Sequence, residues 1–189
     1  MKSSLLLGLA SAYSKLNVTE NGKPIDIWLA VHGNPTVGGS SDSTITMPHD
    51  NKAYLAKSNE NGTFTPTMYY TPNMLGGNIQ YDVDLSQSTC SCNSALYMVD
   101  MPAKNLNGDF VAGPEGDYYC DGNKVDGTWC GELDIMEANQ HNFHSSLHKC
   151  NPPNSKGYIS SCDRSGCSQS MYTIDPTAYG PGSSYKINS

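Results

Sequence analysis

Apolar and polar residues alternate in short runs along this chain, and long helical periods are missing between the turn signals. Residues 25–31 predict one strand, residues 79–85 a second with a clean two-residue alternation, residues 95–99 a buried third and residues 132–137 a fourth. Gly, Pro, Asn and Ser punctuate these runs. Residues 33–43 read as a loop, and residues 115–128 as a polar connection closed by aromatics and cysteines. No internal repeat is found. Many short strands separated by turns predict an all-β fold, a sandwich or jelly roll whose curved sheet offers a long groove to a polymer.

The fourth strand carries the chemistry. Glu132, Asp134 and Glu137 fall within six residues of an apolar, β-prone segment. Alternation points Glu132 and Asp134 to one face, with Leu133 and Ile135 on the other, and would leave Met136 rather than Glu137 beside the first two acids. One extra residue, taken up as a β-bulge near Ile135 and Met136, returns Glu137 to the carboxylate face. Like charges on neighbouring same-face positions repel, so such a row persists where protons, cations or a substrate compensate it. Retaining glycosidases require two carboxyl groups about 5–5.5 Å apart, one ionised and one protonated, and same-face neighbours on one strand meet that need. The residues alone leave two other readings open, a solvated acidic edge strand and a calcium site made of carboxylate oxygens.

The whole chain narrows the class. At 189 residues it suffices for one domain with a real core, and a net charge of −7 with 15% charged residues argues against a nucleic-acid footprint. Residues 1–12, with Lys2, an apolar run over 5–9 and an Ala10-Ser11-Ala12 end, read as a short secretory leader ahead of a domain over 13–189. Apart from this run, no apolar stretch approaches a membrane span. Asn17-Val18-Thr19 and Asn61-Gly62-Thr63 are glycosylation sequons at Asn17 and Asn61. Seven cysteines without zinc-ribbon spacing suit a disulfide-bonded extracellular protein, and an odd count leaves at least one thiol without an intrachain partner. His141, His144 and His148 read as a solvent-facing loop or a weak zinc site, because spacings of three and four suit a helical metal face. Trp28 and Trp129 are expected in the core rather than as sugar platforms.

From Asn78 onward a series of motifs in order resembles glycoside hydrolase family 7, the cellobiohydrolases and endoglucanases. Asp82-Val83-Asp84-Leu85-Ser86-Gln87, then Cys90 and Asn93-Ser94-Ala95-Leu96-Tyr97, is similar to that family's strand pair leading into the catalytic sheet. Tyr119-Cys120-Asp121 resembles its Tyr-Cys-Asp turn, and Glu132-Leu133-Asp134-Ile135-Met136-Glu137-Ala138-Asn139 its catalytic strand. His148-Lys149-Cys150, Cys162-Asp163-Arg164-Ser165-Gly166-Cys167 and Tyr179-Gly180-Pro181-Gly182-Ser183-Ser184-Tyr185 follow in family order. Met136 stands where many members have tryptophan, and the segment from Asp121 to Trp129 is short for the family.

The resemblance implies a concanavalin-like jelly-roll β-sandwich, expected to be incomplete at its C-terminus, and a secreted, monomeric, retaining β-1,4-glucanase, endo-acting because its loops are short. It makes Glu132 the nucleophile, Glu137 the general acid/base and Asp134 the residue that tunes Glu132. His148, Asn139 and Tyr119 become substrate-binding candidates. It pairs Cys120 with Cys130 and Cys150 with Cys162, while the family counterparts of Cys90 and Cys167 bond to cysteines further along. It implies a β-glucan partner, no metal and no other cofactor, and neither nucleic acid nor membrane. Two alternatives remain: a β-1,3 or mixed-linkage glucanase of family 16, whose bulged strand has the same E-x-D-x-x-E form, and a non-catalytic glucan-binding protein.

Overall fold

The computed structural model describes residues 13–32, 45–58 and 63–168, together with Thr173 and Thr177. The leader expected over 1–12, the loop over 33–43 and the sequon at Asn61 lie outside the described residues. Six strands are present among them: β1 (Tyr13–Glu20), β2 (Lys23–His32), β3 (Lys52–Ala56), β4 (Ser94–Val99), β5 (Glu132–Ala138) and β6 (Phe143–His148). They form two antiparallel three-stranded sheets, ordered β1-β2-β3 and β4-β5-β6. The sheets belong to two compact units, one reaching Asn73 with Pro114–Tyr118 added, the other taking Met74–Gly113 and the residues from Tyr119 onward.

In the first unit, β1 and β2 meet through Asn21-Gly22, both with positive φ (52° and 74°). That is the type I′ geometry whose twist matches the flanking strands, and Asn-Gly is its preferred pair. Leu29 and Val31 of β2 pack with Leu16 of β1 in one buried cluster, with Val18 and Ala53 against it. Asn17, the remaining sequon residue, lies within β1 opposite Asp26. Asp117 is fully buried, and its carboxylate accepts from Tyr54 Oη at 2.6 Å and pairs with Lys52 Nζ at 2.9 Å, while Tyr69 Oη donates to its carbonyl. A buried charge is tolerable when paired and hydrogen-bonded in this way.

The second unit holds the acidic strand. β4 pairs with β5 without interruption from Ser94–Ala138 to Leu96–Met136, then Tyr97 faces Asp134 directly, so Ile135 has no partner on that side. On the other side Asp134 faces Ser146 and Glu137 faces His144, leaving Ser145 opposite both Ile135 and Met136. Two residues against one is a β-bulge, and it lies where the spacing of the acids called for one. Ser145 Oγ donates to the carbonyl of Ile135 at 2.7 Å and satisfies the backbone group that the interrupted ladder strands.

One expected strand does not form. Residues 79–85 take part in no ladder or bridge among the described residues, and Ile79, Tyr81 and Val83 are exposed. Alternation specifies which side chains share a face but supplies no neighbour for the backbone N–H and C=O groups, and without one the segment stays irregular. The histidine segment departs from expectation too: His144 and His148 stand on β6 rather than on a helix or loop, because a spacing of four is even and shares a face on a strand as well. Neither tryptophan is core. Trp28 is half-buried on β2, and half-buried Trp129 borders a cavity of about 290 Å³ with Lys104, Lys124 and Tyr158.

Ser145→Ala removes the donor that closes the bulge and is expected to lower the unfolding free energy by about 0.5–1.5 kcal/mol. Urea titration measures it. Ser145→Thr, which keeps the hydroxyl, should recover most of the loss.

Candidate active site

Pairing places three rows on one face of the second sheet: Ala95, Glu137 and His144; Tyr97, Asp134 and Ser146; Val99, Glu132 and His148. Directly paired residues project to the same side. The bulge therefore brings all three acids together, with two histidines alternating opposite them. The other face carries Leu96, Met98, Leu133, Met136 and Leu147, so the strand is polar on one side and apolar on the other.

Glu132 and Asp134 are buried, and Glu132 Oε2 accepts the backbone N–H of Gly122 at 2.8 Å. A methyl at Gly122 would lie 2.7 Å from His148 Cβ and Cγ and 2.9 Å from Glu132 Oε2, so a residue with no side chain is required for that approach. Burial, then the charges of Asp134 and Asp121, push Glu132 up to about 7 against the opposing Gly122 N–H and His148. Burial and the charge of Glu137 also raise Asp134, opposed by His148 and by a hydrogen bond with Glu132. The two carboxyls thus titrate as a pair and retain a shared proton above the usual carboxylate range.

His148 completes the cluster. Its Nδ1 donates to the carbonyl of Asp163 at 2.7 Å, which turns Nε2 toward Asp134 Oδ2 at 3.1 Å and Glu132 Oε2 at 3.7 Å. Burial pulls its pKa down, but the Asp163 carbonyl and the charges of Glu132 and Asp134 outweigh burial and raise it overall.

Glu137 sits in different surroundings. Its side chain is 36% exposed, Oε1 accepts from Asn93 Nδ2 at 2.9 Å, and His144 Nδ1 lies 3.7 Å from Oε2. One acid is thus enclosed and hydrogen-bonded while the other reaches water, so the two carboxyl groups meet different surroundings on one face of the strand.

Two candidate binding residues do other work. Asn139 is consumed by the β5–β6 turn: its Oδ1 accepts from the N–H groups of His141 and Asn142 at 2.9 and 3.0 Å, and its Nδ2 donates to the Cys92 carbonyl at 3.1 Å. Tyr119 is buried, with its hydroxyl against Tyr97 Oη at 3.2 Å, so it braces a neighbour of Asp134. Asn93, Gly122, Ser146 and the Asp163 carbonyl belong to the site without having been singled out in the sequence. Asn93 alone carried a signal, a polar amide just before the strand predicted over 95–99, which is half-buried rather than buried.

Both implied disulfides are present, Cys120–Cys130 and Cys150–Cys162, while Cys90, Cys92 and Cys167 carry free thiols.

No protein-family model matches the chain. It aligns with endoglucanase type C of Fusarium oxysporum at 28% identity, over 100% of this chain and 46% of that protein. Endoglucanase 1 of Humicola insolens aligns at 30% identity, over 66% of this chain and 37% of that protein. Among solved structures, a glycosynthase mutant of Humicola insolens Cel7B matches with a TM-score of 0.51 at 17% identity, covering 89% of this chain and 61% of the other. The fold is therefore of the jelly-roll β-sandwich type that the resemblance implies. The chain is a partial homologue of fungal endoglucanases of the family 7 type, spanning less than half the length of the two curated relatives.

Folded Glu132 holds its proton to about pH 7, whereas its ordinary value is 4.5. Its contribution to stability is therefore present below the unfolded value and lost as pH rises through the folded one. Glu132→Gln carries no charge to bury and should gain about 1–3 kcal/mol on the native chain between acid and mildly alkaline pH. Thermal melts across that range measure it, and parallel melting curves would contradict the assignment.

Proposed function

We propose that this chain is a secreted, retaining β-1,4-glucanase of endo type, with Glu132 as nucleophile, Glu137 as general acid/base and Asp134 as the residue that regulates Glu132. The observation that carries this reading is the bulge at Ile135 and Met136, which sets the exposed Glu137 on the face of the enclosed Glu132–Asp134 pair. In the first step Glu137 protonates the glycosidic oxygen while Glu132 attacks the anomeric carbon, and the aglycone leaves with the proton. In the second, Glu137 takes a proton from water as that water's oxygen displaces Glu132 and releases the sugar. For attack, Glu132 must be ionised. The Gly122 N–H holds that charge, and the shared proton then resides on Asp134 and His148.

The relatives are named endoglucanases, which supports cellulose-like β-glucan as the substrate and favours family 7 over family 16. Two disulfides and the leader-like N-terminus support secretion. His148 contributes by holding Asp134 and Glu132.

Release of reducing ends from carboxymethyl cellulose tests the assignment. Glu132→Gln and Glu137→Gln should each lower it by at least about a hundredfold. Unchanged release in either variant rejects the roles, and glucan binding without turnover would identify a non-catalytic binding protein. Gly122→Ala keeps the N–H but sets a methyl against His148 and Glu132 Oε2, and the displaced donor should reduce kcat by about tenfold or more.

A further inference from the structure

We infer that Glu132, Asp134 and His148 form a zinc site, and that zinc held there takes the nucleophile out of reaction. The shut-off rests on the functional reading above, whereas the binding site does not. The donors are ready-made. His148 Nδ1 is committed to the Asp163 carbonyl at 2.7 Å, so Nε2 is the nitrogen that faces the acids, and ligand histidines are oriented in this way by an outer carbonyl. One carboxylate oxygen of Glu132, one of Asp134 and a ring nitrogen of His148 all lie within 4.8 Å of one another. Tetrahedral zinc with bonds of about 2.0–2.1 Å sets neighbouring donors about 3.3–3.4 Å apart. The two distances from Nε2, 3.1 Å to Asp134 and 3.7 Å to Glu132, bracket that edge.

An independent observation points to the same spot. Ser146 is 4% exposed, stands beside Asp134 on the donor face, and its Oγ has no hydrogen-bond partner. A buried hydroxyl left unpaired is costly, so it marks a place where a further group is accommodated. Gly166 keeps that place open: a methyl there would fall 2.2 Å from Ser146 Oγ and 3.4 Å from His148 Nε2. A zinc-bound water lodged beside Gly166 would fill the fourth position and give Ser146 its partner. One imidazole and two carboxylates suit zinc, whereas calcium takes six to eight oxygens and magnesium retains an octahedral shell. With a Glu132 oxygen donated to the metal, its lone pair is withdrawn from the anomeric carbon.

The test uses the full chain, stripped with chelator and titrated calorimetrically with zinc chloride at neutral pH. One equivalent should bind, and Asp134→Asn and His148→Gln should each weaken it by at least about tenfold. His141→Gln/His144→Gln, which removes the exposed histidines, should bind as the parent does. Because a substitution in the buried cluster could impair folding, zinc-edge absorption spectroscopy on the unsubstituted chain gives a second reading: one imidazole and oxygen donors, with no sulfur from the free cysteines. Zinc should suppress glucan hydrolysis and chelator should restore it. Absence of stoichiometric binding, binding lost with the exposed histidines, or a multi-imidazole or sulfur-containing shell overturns the site. Hydrolysis that proceeds unchanged with the triad occupied overturns the shut-off. A chain that binds zinc through the triad but hydrolyses no glucan when metal-free would uphold the site and remove the glucanase reading.

Discussion

A single extra residue in β5 is the constraint on which the site depends. Without it, the two-residue period would send Glu137 to the face of Leu133 and Leu147, and Met136 would stand beside Asp134. With it, both neighbouring strands keep pairing on either side of the interruption, so the displacement stays local and the sheet survives. Ser145 makes the bulge tolerable, since its hydroxyl takes the carbonyl that Ile135 would otherwise leave without a partner. The same device separates environments. Glu132 and Asp134 fall in the enclosed part of the strand, and Glu137, past the bulge, lies where water reaches it.

Much of this was legible because the acids broke a pattern. Three carboxylates in an apolar run cannot all obey a period of two, and the bulge was the least disruptive resolution. β2, β4 and β5 were legible for the ordinary reason that apolar residues dominate them. β1, β3 and β6 were not: β1 and β6 read Tyr-Ser-Lys-Leu-Asn-Val-Thr-Glu and Phe-His-Ser-Ser-Leu-His, edge strands with few apolar residues whose pairing comes from their neighbours. Asn21-Gly22 was a usable hairpin signal for β1 and β2 that alternation alone passes over. The opposite failure, residues 79–85, shows that alternation without a partner does not make a strand. His148 could be associated with the acids by resemblance, but its orientation could not, because the Asp163 carbonyl that turns it lies 15 residues away. Asn139 was ambiguous for a related reason: an amide beside a row of acids is indistinguishable in sequence from one that caps a turn, which Asn139 does.

Crowding acids beneath a surface has an energetic cost, and the architecture offsets it nearby. Cys120–Cys130 and Cys150–Cys162 close loops with separations of 10 and 12 residues, on either side of β5 and β6. In the chain-entropy account each bridge of this length stabilises by about 3 kcal/mol. That is comparable with the cost of holding a carboxyl pair whose protons are retained well above the ordinary range. The stabilisation is also placed where it matters, since both bridges fasten irregular segments that flank the strand and add to turns held by Asp121 and Asn154.

Those segments do more than confer stability. The first loop brings the Gly122 N–H to Glu132, and the residue directly after the second brings the Asp163 C=O to His148. The two backbone groups have opposite polarity. A donor directed at Glu132 favours negative charge there, and an acceptor directed at His148 favours a proton there, so together they polarise the cluster from one end to the other. Asp134, hydrogen-bonded within this gradient, links Glu132 to the imidazole. Neither contact tolerates a displacement of about an ångström, because a hydrogen bond weakens steeply with length and angle. Short disulfide-closed loops are therefore a structural condition for an ionised Glu132, the state that the proposed mechanism requires, and they act through backbone groups rather than side chains.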